Sequence, residues 1–285
     1  MSSTKVENIH GVTRALRLIA LPLIIALLLI PLAAVDSYSA NSVEDYIAEG
    51  DDHYARRAEG HNGDWAPTGP IEKALDAYYK AYDLGDRSPE LAAKILQASY
   101  FYATYAEKDR DKQKRVLQRA IDTGNEVISR YPNSVALNYQ MGGCWGRWGE
   151  VNGIFASARK GVADKVKLYA EKTIGIDPYF AEGGGYRTLG RLHFKAPYIP
   201  FVLSWPDKKE SLKYLRKAVE AGPENLTNHL FYAETLFSEG MYEEALNEVD
   251  YVLEADVDES KVVEDLRDKK EAAALKERIL AKYRK

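Results

Sequence analysis

Ser238-Glu239-Gly240-Met241-Tyr242-Glu243-Glu244-Ala245 reads as a tight turn between two helices, and that reading decides the fold. Working outward, Ala233 and Leu236 precede the turn, and Ala245, Val249 and Val252 follow it at i, i+4 and i+7. That spacing is the inner face of a 3.6-period helix. The same slots recur upstream in Ala74…Tyr78…Ala81 and Ala120…Gly124…Val127, and more loosely in Val166…Ala170…Thr173 and Ser211…Leu215…Ala218. From one set to the next they step by 46, 46, 45 and 34 residues. Prolines 132, 178 and 223 keep nearly the same interval, each just after one apolar-periodic stretch and just before another. A proline cannot continue a helix, so these mark helix ends at a fixed period.

A period in this range points to stacked helix pairs, and 34 residues is the tetratricopeptide (TPR) length. The last unit, Leu226 to Val257, carries that pattern in Ala233, Leu236, Gly240, Tyr242, Ala245 and Val249. The earlier units are about twelve residues longer, which places extensions between the first and second helix of each pair. Those extensions are the turn-rich 61–70, the charged Glu107 to Lys114 (expected to lengthen the helices), the glycine-punctuated Gly149 to Gly161, and the apolar, proline-bearing Pro197 to Pro206. The chain is therefore expected to be all-α. A TPR-like helical-repeat solenoid of about five helix pairs spans 41–258, and a C-terminal capping helix spans 259–285. Val263, Leu266, Ile279 and Tyr283 form the apolar side of that last helix.

Residues 1–40 differ in kind. Leu18 to Val35 is a run of 18 residues without a charge, preceded by Lys5, Arg14 and Arg17 and followed by Asp36, Glu44 and Asp45. As a helix it is about 27 Å long, close to the ~30 Å hydrocarbon thickness. Basic flanks stay cytoplasmic, so the body is expected outside the cytoplasm. The run reads either as an uncleaved N-terminal membrane anchor or as a signal peptide cut near Ser37-Tyr38-Ser39-Ala40; both remain open at this point.

Composition excludes several classes. Setting aside Lys5, Arg14, Arg17 and Glu7 leaves 36 basic and 42 acidic residues, a net charge of −6, with no basic run. That balance argues against nucleic-acid binding. Cys144 is the single cysteine, so no internal disulfide is possible, and a buried, inert thiol is expected. The five histidines, at 10, 53, 61, 193 and 229, show no metal-ligand spacing. No nucleophile motif or phosphate loop is present. The expectation is a non-enzyme with no catalytic residue, metal or cofactor.

The densest chemistry lies in Gly183-Gly184-Gly185-Tyr186-Arg187-Thr188-Leu189-Gly190-Arg191-Leu192-His193-Phe194-Lys195-Ala196-Pro197. Arg187, Arg191 and Lys195 share one helical face. Like charges so spaced repel, and need either carboxylates such as Glu220 or Glu234 or an anionic ligand, a carboxylate gripped by arginine for example. The three glycines suit close helix crossing, or alternatively an anion-binding nest. The connection after them carries Tyr198, Phe201 and Trp205 among other large apolar residues. It is expected either to plug the solenoid groove or to line a ligand cavity or partner surface; Trp145 and Trp148 of the preceding pair either share that surface or serve ordinary repeat packing.

These irregular repeats, combined with the 183–197 string, resemble the T-component (TatT) family associated with tripartite ATP-independent periplasmic (TRAP) transporters. Lys209 to Glu220 and Asn228-His229-Leu230 are similar to that family too, and the likeness covers roughly residues 43 to 256. The resemblance implies a periplasmic accessory protein that works with the transporter's substrate-binding protein and offers a pore or groove for a small, hydrophobic ligand. Family members are commonly lipoproteins, whereas no cysteine ends the apolar run of this chain. The competing reading is a generic envelope scaffold for protein partners, with no small-molecule ligand.

Overall fold

Several helix starts in this chain are written in its polar side chains. In α1 (Val43–Ala55), Ser42 Oγ accepts from the Asp45 amide while Asp45 accepts from the Ser42 amide, a reciprocal cap. Ser88 caps α3 (Pro89–Phe101), Asp109 caps α4 (Arg110–Ile128), Ser134 caps α5 (Val135–Asn152) and Asn225 caps α10 (Leu226–Ser238). Each satisfies amides that the first turn would otherwise leave unpaired. Gly240, at φ 79°, ends α10 in the left-handed conformation ahead of α11 (Tyr242–Glu254). The remaining helices are α2 (Thr68–Asp83), α6 (Ile154–Lys160), α7 (Val162–Ile176), α8 (Phe180–Lys195), α9 (Lys208–Ala221) and α12 (Val262–Tyr283). The computed structural model describes residues 41–197 and 203–283. The apolar run at 18–35, Tyr198 and Phe201 lie outside the described residues.

The helices pair in series: α1 with α2, α3 with α4, α5 with α7, α8 with α9, and α10 with α11. Prolines 132, 178 and 223 fall in the links before α5, α8 and α10, as their interval requires. Every slot read at i, i+4 and i+7 is buried, from Ala74, Tyr78 and Ala81 to Ala245, Val249 and Val252. First helices also pack on one another, α3 on α5, α5 on α8 and α8 on α10, while second helices make no comparable run of contacts among the described residues. The stack therefore curves with its first helices inside. This is an all-α TPR-like solenoid of five helix pairs and a terminal helix.

The extensions take separate routes. Glu107 to Lys114 lengthens only α4, from Arg110 onward. Before it, α3 widens into a π-turn over Tyr102–Ala106 and the chain breaks at Glu107. The buried Glu107 carboxylate fixes that break, accepting from Tyr102 Oη at 2.9 Å and from the Asp109 amide at 2.8 Å. The 149–161 stretch instead adds α6 between the two helices of the third pair.

Two apolar clusters form the core. One draws on α2 through α7, the other on α9 through α12. Helix α12 belongs to both: Val263 lies in the first, and Ala272, Leu275 and Ile279 in the second. On its expected apolar side, Leu266 is only half-buried and Tyr283 is 56% exposed, whereas Asp265 and Asp268 are buried. The reason is that α12 does more than cap α11. Arg57, just past α1, binds Glu264 at 2.9 Å and the Ser260 carbonyl. Arg267 donates to Asp64 Oδ2 at 3.1 Å, the Asp64 carbonyl at 2.7 Å and the Thr104 carbonyl at 2.6 Å. The last helix thus reaches back to the first pair. No helix among the described residues is long and apolar enough to cross a membrane.

Candidate functional site

The cationic face rides on α8, whose start is unusual. Ala181 (φ 50°), Glu182 (φ 57°) and Gly183 (φ 77°) are all left-handed. For Ala181 and Glu182 this conformation costs about 1–2 kcal/mol each, so the surroundings must enforce it. They do so through Asn228, which is fully buried on α10. Its Nδ2 donates toward the carbonyls of Glu182, Ala218 and Gly222 at 2.9, 2.8 and 3.1 Å.

The glycines serve crossing. A Cβ on Gly183 would stand 3.0 Å from the Ala218 carbonyl oxygen, and one on Gly185 would stand 2.8 Å from Ile174 Cγ1. They lie within the first turns of α8 rather than ahead of it, and they bring α8 against α9 and α7.

Arg187 faces inward. Its Nη1 donates to Asn228 Oδ1 and its Nη2 to Tyr139 Oη, both at 2.8 Å, with the Ala181 carbonyl at 3.4 Å. Arg191 pairs with Glu234, one of the two compensating carboxylates expected, and its guanidinium lies 3.9 Å from the Phe231 ring centroid. Lys195 is exposed; among the described residues it lies 5.6 Å from the Phe194 ring and its charge reaches Glu271. One face thus holds three different chemistries: an arginine bound to neutral oxygens, an arginine in an ion pair, and a lysine in solvent.

Helix α12 brings carboxylates toward this face. Asp268 is pushed up to about 7 by burial, against the Thr227 hydroxyl that donates to it at 2.6 Å and the pull of Arg187. Partial burial and the Glu234 charge push Glu271 up, against Arg191, Arg267 and Lys195.

Trp205 and the two earlier tryptophans sit apart. Trp205 donates to Asp164 Oδ1 at 3.2 Å and meets His193 edge-on at 5.1 Å. His193 is buried, its pKa is lowered by that burial, and its Nδ1 accepts from the Asp207 amide at 3.1 Å. This is a satisfied core histidine that pins the far end of the 196–207 connection. Trp145 and Trp148 are buried edge-to-face at 5.7 Å, and Trp148 donates to Gln118 at 3.1 Å. Lys165 lies over Trp145 and Lys167 over Trp205, at 3.9 and 4.7 Å. Two residues apart, these lysines leave α7 in nearly opposite directions. No aromatic contact joins the two sets of tryptophans among the described residues.

Cys144 is fully buried, donates to the Leu96 carbonyl at 3.2 Å, and has its thiol pushed far up by burial. His229 bridges Glu248 and the Pro223 carbonyl at 2.5 and 2.8 Å and stacks on Tyr251. No cluster of His, Cys, Asp and Glu suited to a metal occurs among the described residues. Two depressions among the described residues, one over α4 and one beside Tyr131–Ala136, are shallow and open to solvent. Sequence reasoning gave no role to Asn228, Tyr139, Thr227 or Arg267. Asn228 carried two signals, its place three residues after the helix-starting Asn225 and its part in the Asn228-His229-Leu230 string that resembles the TatT family.

No protein-family profile and no curated protein matches the chain. Among solved structures, the thermophilic TPR protein TTC0263 of Thermus thermophilus is similar with a TM-score of 0.57 at 14% identity, covering 82% of this chain and 98% of its own. PilF of Pseudomonas aeruginosa is similar with a TM-score of 0.51 at 13% identity, covering 85% and 91%. At such identities the likeness is one of fold, and the fold is of the TPR type.

Proposed function

We propose that this chain is an extracytoplasmic, non-enzymatic TPR accessory protein that binds a protein partner. By its resemblance to TatT proteins, that partner is the substrate-binding protein of a TRAP-type transporter. The N-terminal apolar run would hold it at the inner membrane, or be lost after export. The observation that carries the choice of a protein over a small molecule is the state of the cationic face. A carboxylate ligand would have to displace Asn228 and Tyr139 from Arg187 and Glu234 from Arg191. Among the described residues Lys195 makes no ion pair, and it stands in solvent at the edge of the 196–207 connection.

Rigid α8 and the anchor at His193 frame that connection, and Trp205 is its half-buried aromatic base. Aromatic residues on a fixed frame suit partner contact. The reading is tested by offering TRAP-type substrate-binding proteins to the full chain, with native mass spectrometry and sedimentation as readouts. A complex weakened about tenfold or more by Trp205→Ala, with unchanged helicity, supports it. If no substrate-binding protein binds, the transport role fails and a general envelope scaffold remains. A small hydrophobic or carboxylate molecule co-purifying with the chain and lost on Arg187→Ala would favour the ligand-binding alternative.

A further inference from the structure

Phe155 is 94% exposed and Ile154 is 60% exposed, two adjacent side chains at the start of α6. None of the residues of α6 is buried. Gly153 (φ 85°) and Gly161 (φ 62°) bracket the helix, so the chain leaves α5 and enters α7 through left-handed turns that a side chain would strain. Ser157 fastens the knuckle between them, its hydroxyl within 3.1 Å of the Gly149 carbonyl and 2.8 Å of the Gly153 carbonyl.

The charge around this tip is one-sided. Arg159 follows Phe155 by four residues and shares its face, and Lys160 is next. No carboxylate occurs from Val151 to Ala163. The flanking ones are engaged, Glu150 with Arg147 at 2.9 Å and Asp164 with the Trp205 indole at 3.2 Å. Arg159 and Lys160 thus have no carboxylate partner among the described residues. Lys165 feels the crowding: burial and the Lys160 charge lower its pKa. On a body that is acidic as a whole, this is an apolar tip with a purely cationic border.

We propose that α6 docks onto an anionic lipid surface, with Ile154 and Phe155 entering the headgroup–acyl boundary and Arg159 and Lys160 meeting the phosphates. Aromatic and aliphatic residues beside Lys and Arg on one short amphipathic segment are the chemistry of interfacial binding. The long Arg159 side chain can lay its stem on the apolar tip and keep its charge among headgroups. Lysine is depleted in protein interfaces, whereas anionic headgroups attract it. One turn of such a helix binds weakly by itself. It gains from tethering if the apolar run at 18–35, seven residues before α1, is held in the same bilayer. The inference does not depend on the transporter partner.

The test uses the full chain in vesicles. Cys144 is buried, so Ala158→Cys, on the exposed side of α6, gives a single site for an environment-sensitive dye. Leu84→Cys, 56% exposed on another helix pair, is the control. In phosphatidylglycerol-containing vesicles the dye at 158 is expected to shift to the blue and to be quenched by brominated acyl chains, at least threefold more than in pure phosphatidylcholine. The dye at 84 should report water in both. Ile154→Ser with Phe155→Ser, and separately Arg159→Glu with Lys160→Glu, should abolish the difference. A dye at 158 that stays in water on phosphatidylglycerol vesicles overturns the proposal. So does one shielded equally in detergent or neutral lipid, which would instead indicate a second copy or another protein contact. If the chain fails to float with neutral vesicles, the N-terminal run is not an anchor. The signal at 158 on phosphatidylglycerol then still decides the role of α6.

Discussion

Arg187 and Asn228 meet side chain to side chain, Nη1 donating to Oδ1 at 2.8 Å, while Asn228 Nδ2 faces three carbonyls, at the start of α8 (Glu182), the end of α9 (Ala218) and just past it (Gly222). This pairing locks Ala181 and Glu182 into their left-handed turn. Asn228→Ala removes every one of those bonds inside a site without water access. Such a loss costs about 3 kcal/mol or more. For a domain of this size the melting temperature should drop by roughly 6–12 °C. Asn228→Asp keeps the acceptor for Arg187 but turns a buried oxygen toward three carbonyl oxygens, so it should cost at least as much.

Two glycines make opposite predictions. Gly185→Ala puts a Cβ against Ile174, so α8 must move off α7, at a cost of about 1–3 kcal/mol. Gly146, inside α5, has no atom within 4 Å of where its Cβ would lie. Gly146→Ala should stabilise the protein by about 0.5–1 kcal/mol. Urea denaturation of both variants checks the pair, and a destabilised Gly146→Ala would contradict the packing around α5.

Asp268 makes stability depend on pH. Burial raises its pKa from the ordinary carboxylate range to about 7. Between about pH 4 and 7 the folded protein keeps a proton that the unfolded chain has lost, so its contribution is fully present below pH 4 and fades as the pH rises to 7. Asp268→Asn removes this dependence. The variant should gain on the parent as pH rises, by up to about 4 kcal/mol at pH 8, and differ little at pH 4. Parallel denaturation curves at pH 4, 6 and 8 measure the gap; a gap that does not widen would show that Asp268 ionises normally.

Arg267 ties α12 to the first pair through Asp64 and the Thr104 carbonyl, and its guanidinium lies 4.8 Å from the Trp65 ring centroid and 4.6 Å from that of Tyr105. Arg267→Ala should cost about 2–4 kcal/mol, because Asp64 and the carbonyl lose their strongest donor. Arg267→Lys should recover only part of it, since an ammonium cannot fork across both groups or lie flat on the rings. Hydrogen exchange in α12 should quicken in the alanine variant, and an unchanged rate there would mean that Arg267 does not hold the helix.

The serial stack was legible because its signals are local: a fixed proline interval and buried slots at i, i+4 and i+7. Glu234 was legible as a partner for Arg191 because it lies on the neighbouring first helix. The entry to α8 was not. Three glycines in a row mark a break, yet the left-handed turn begins two residues earlier, at Ala181, because tertiary bonds from Asn228 outweigh the preference of alanine. The reach of α12 to Arg57 and Asp64 was equally hidden, since contacts some two hundred residues apart leave no periodicity. Number and type left the tryptophans either one shared surface or ordinary repeat packing; Trp145 and Trp148 pack in the core, and the turn of α7 sends Lys165 to Trp145 and Lys167 to Trp205, on separate sides.

An array of repeats joined only to their neighbours can unravel from either end. Because α12 clasps residues beside α1 while its own apolar side lies in the second cluster, neither end of this array is loose. Melting should therefore be a single all-or-none event, and cutting the clasp at Arg267 should convert it into stepwise fraying that begins at the termini.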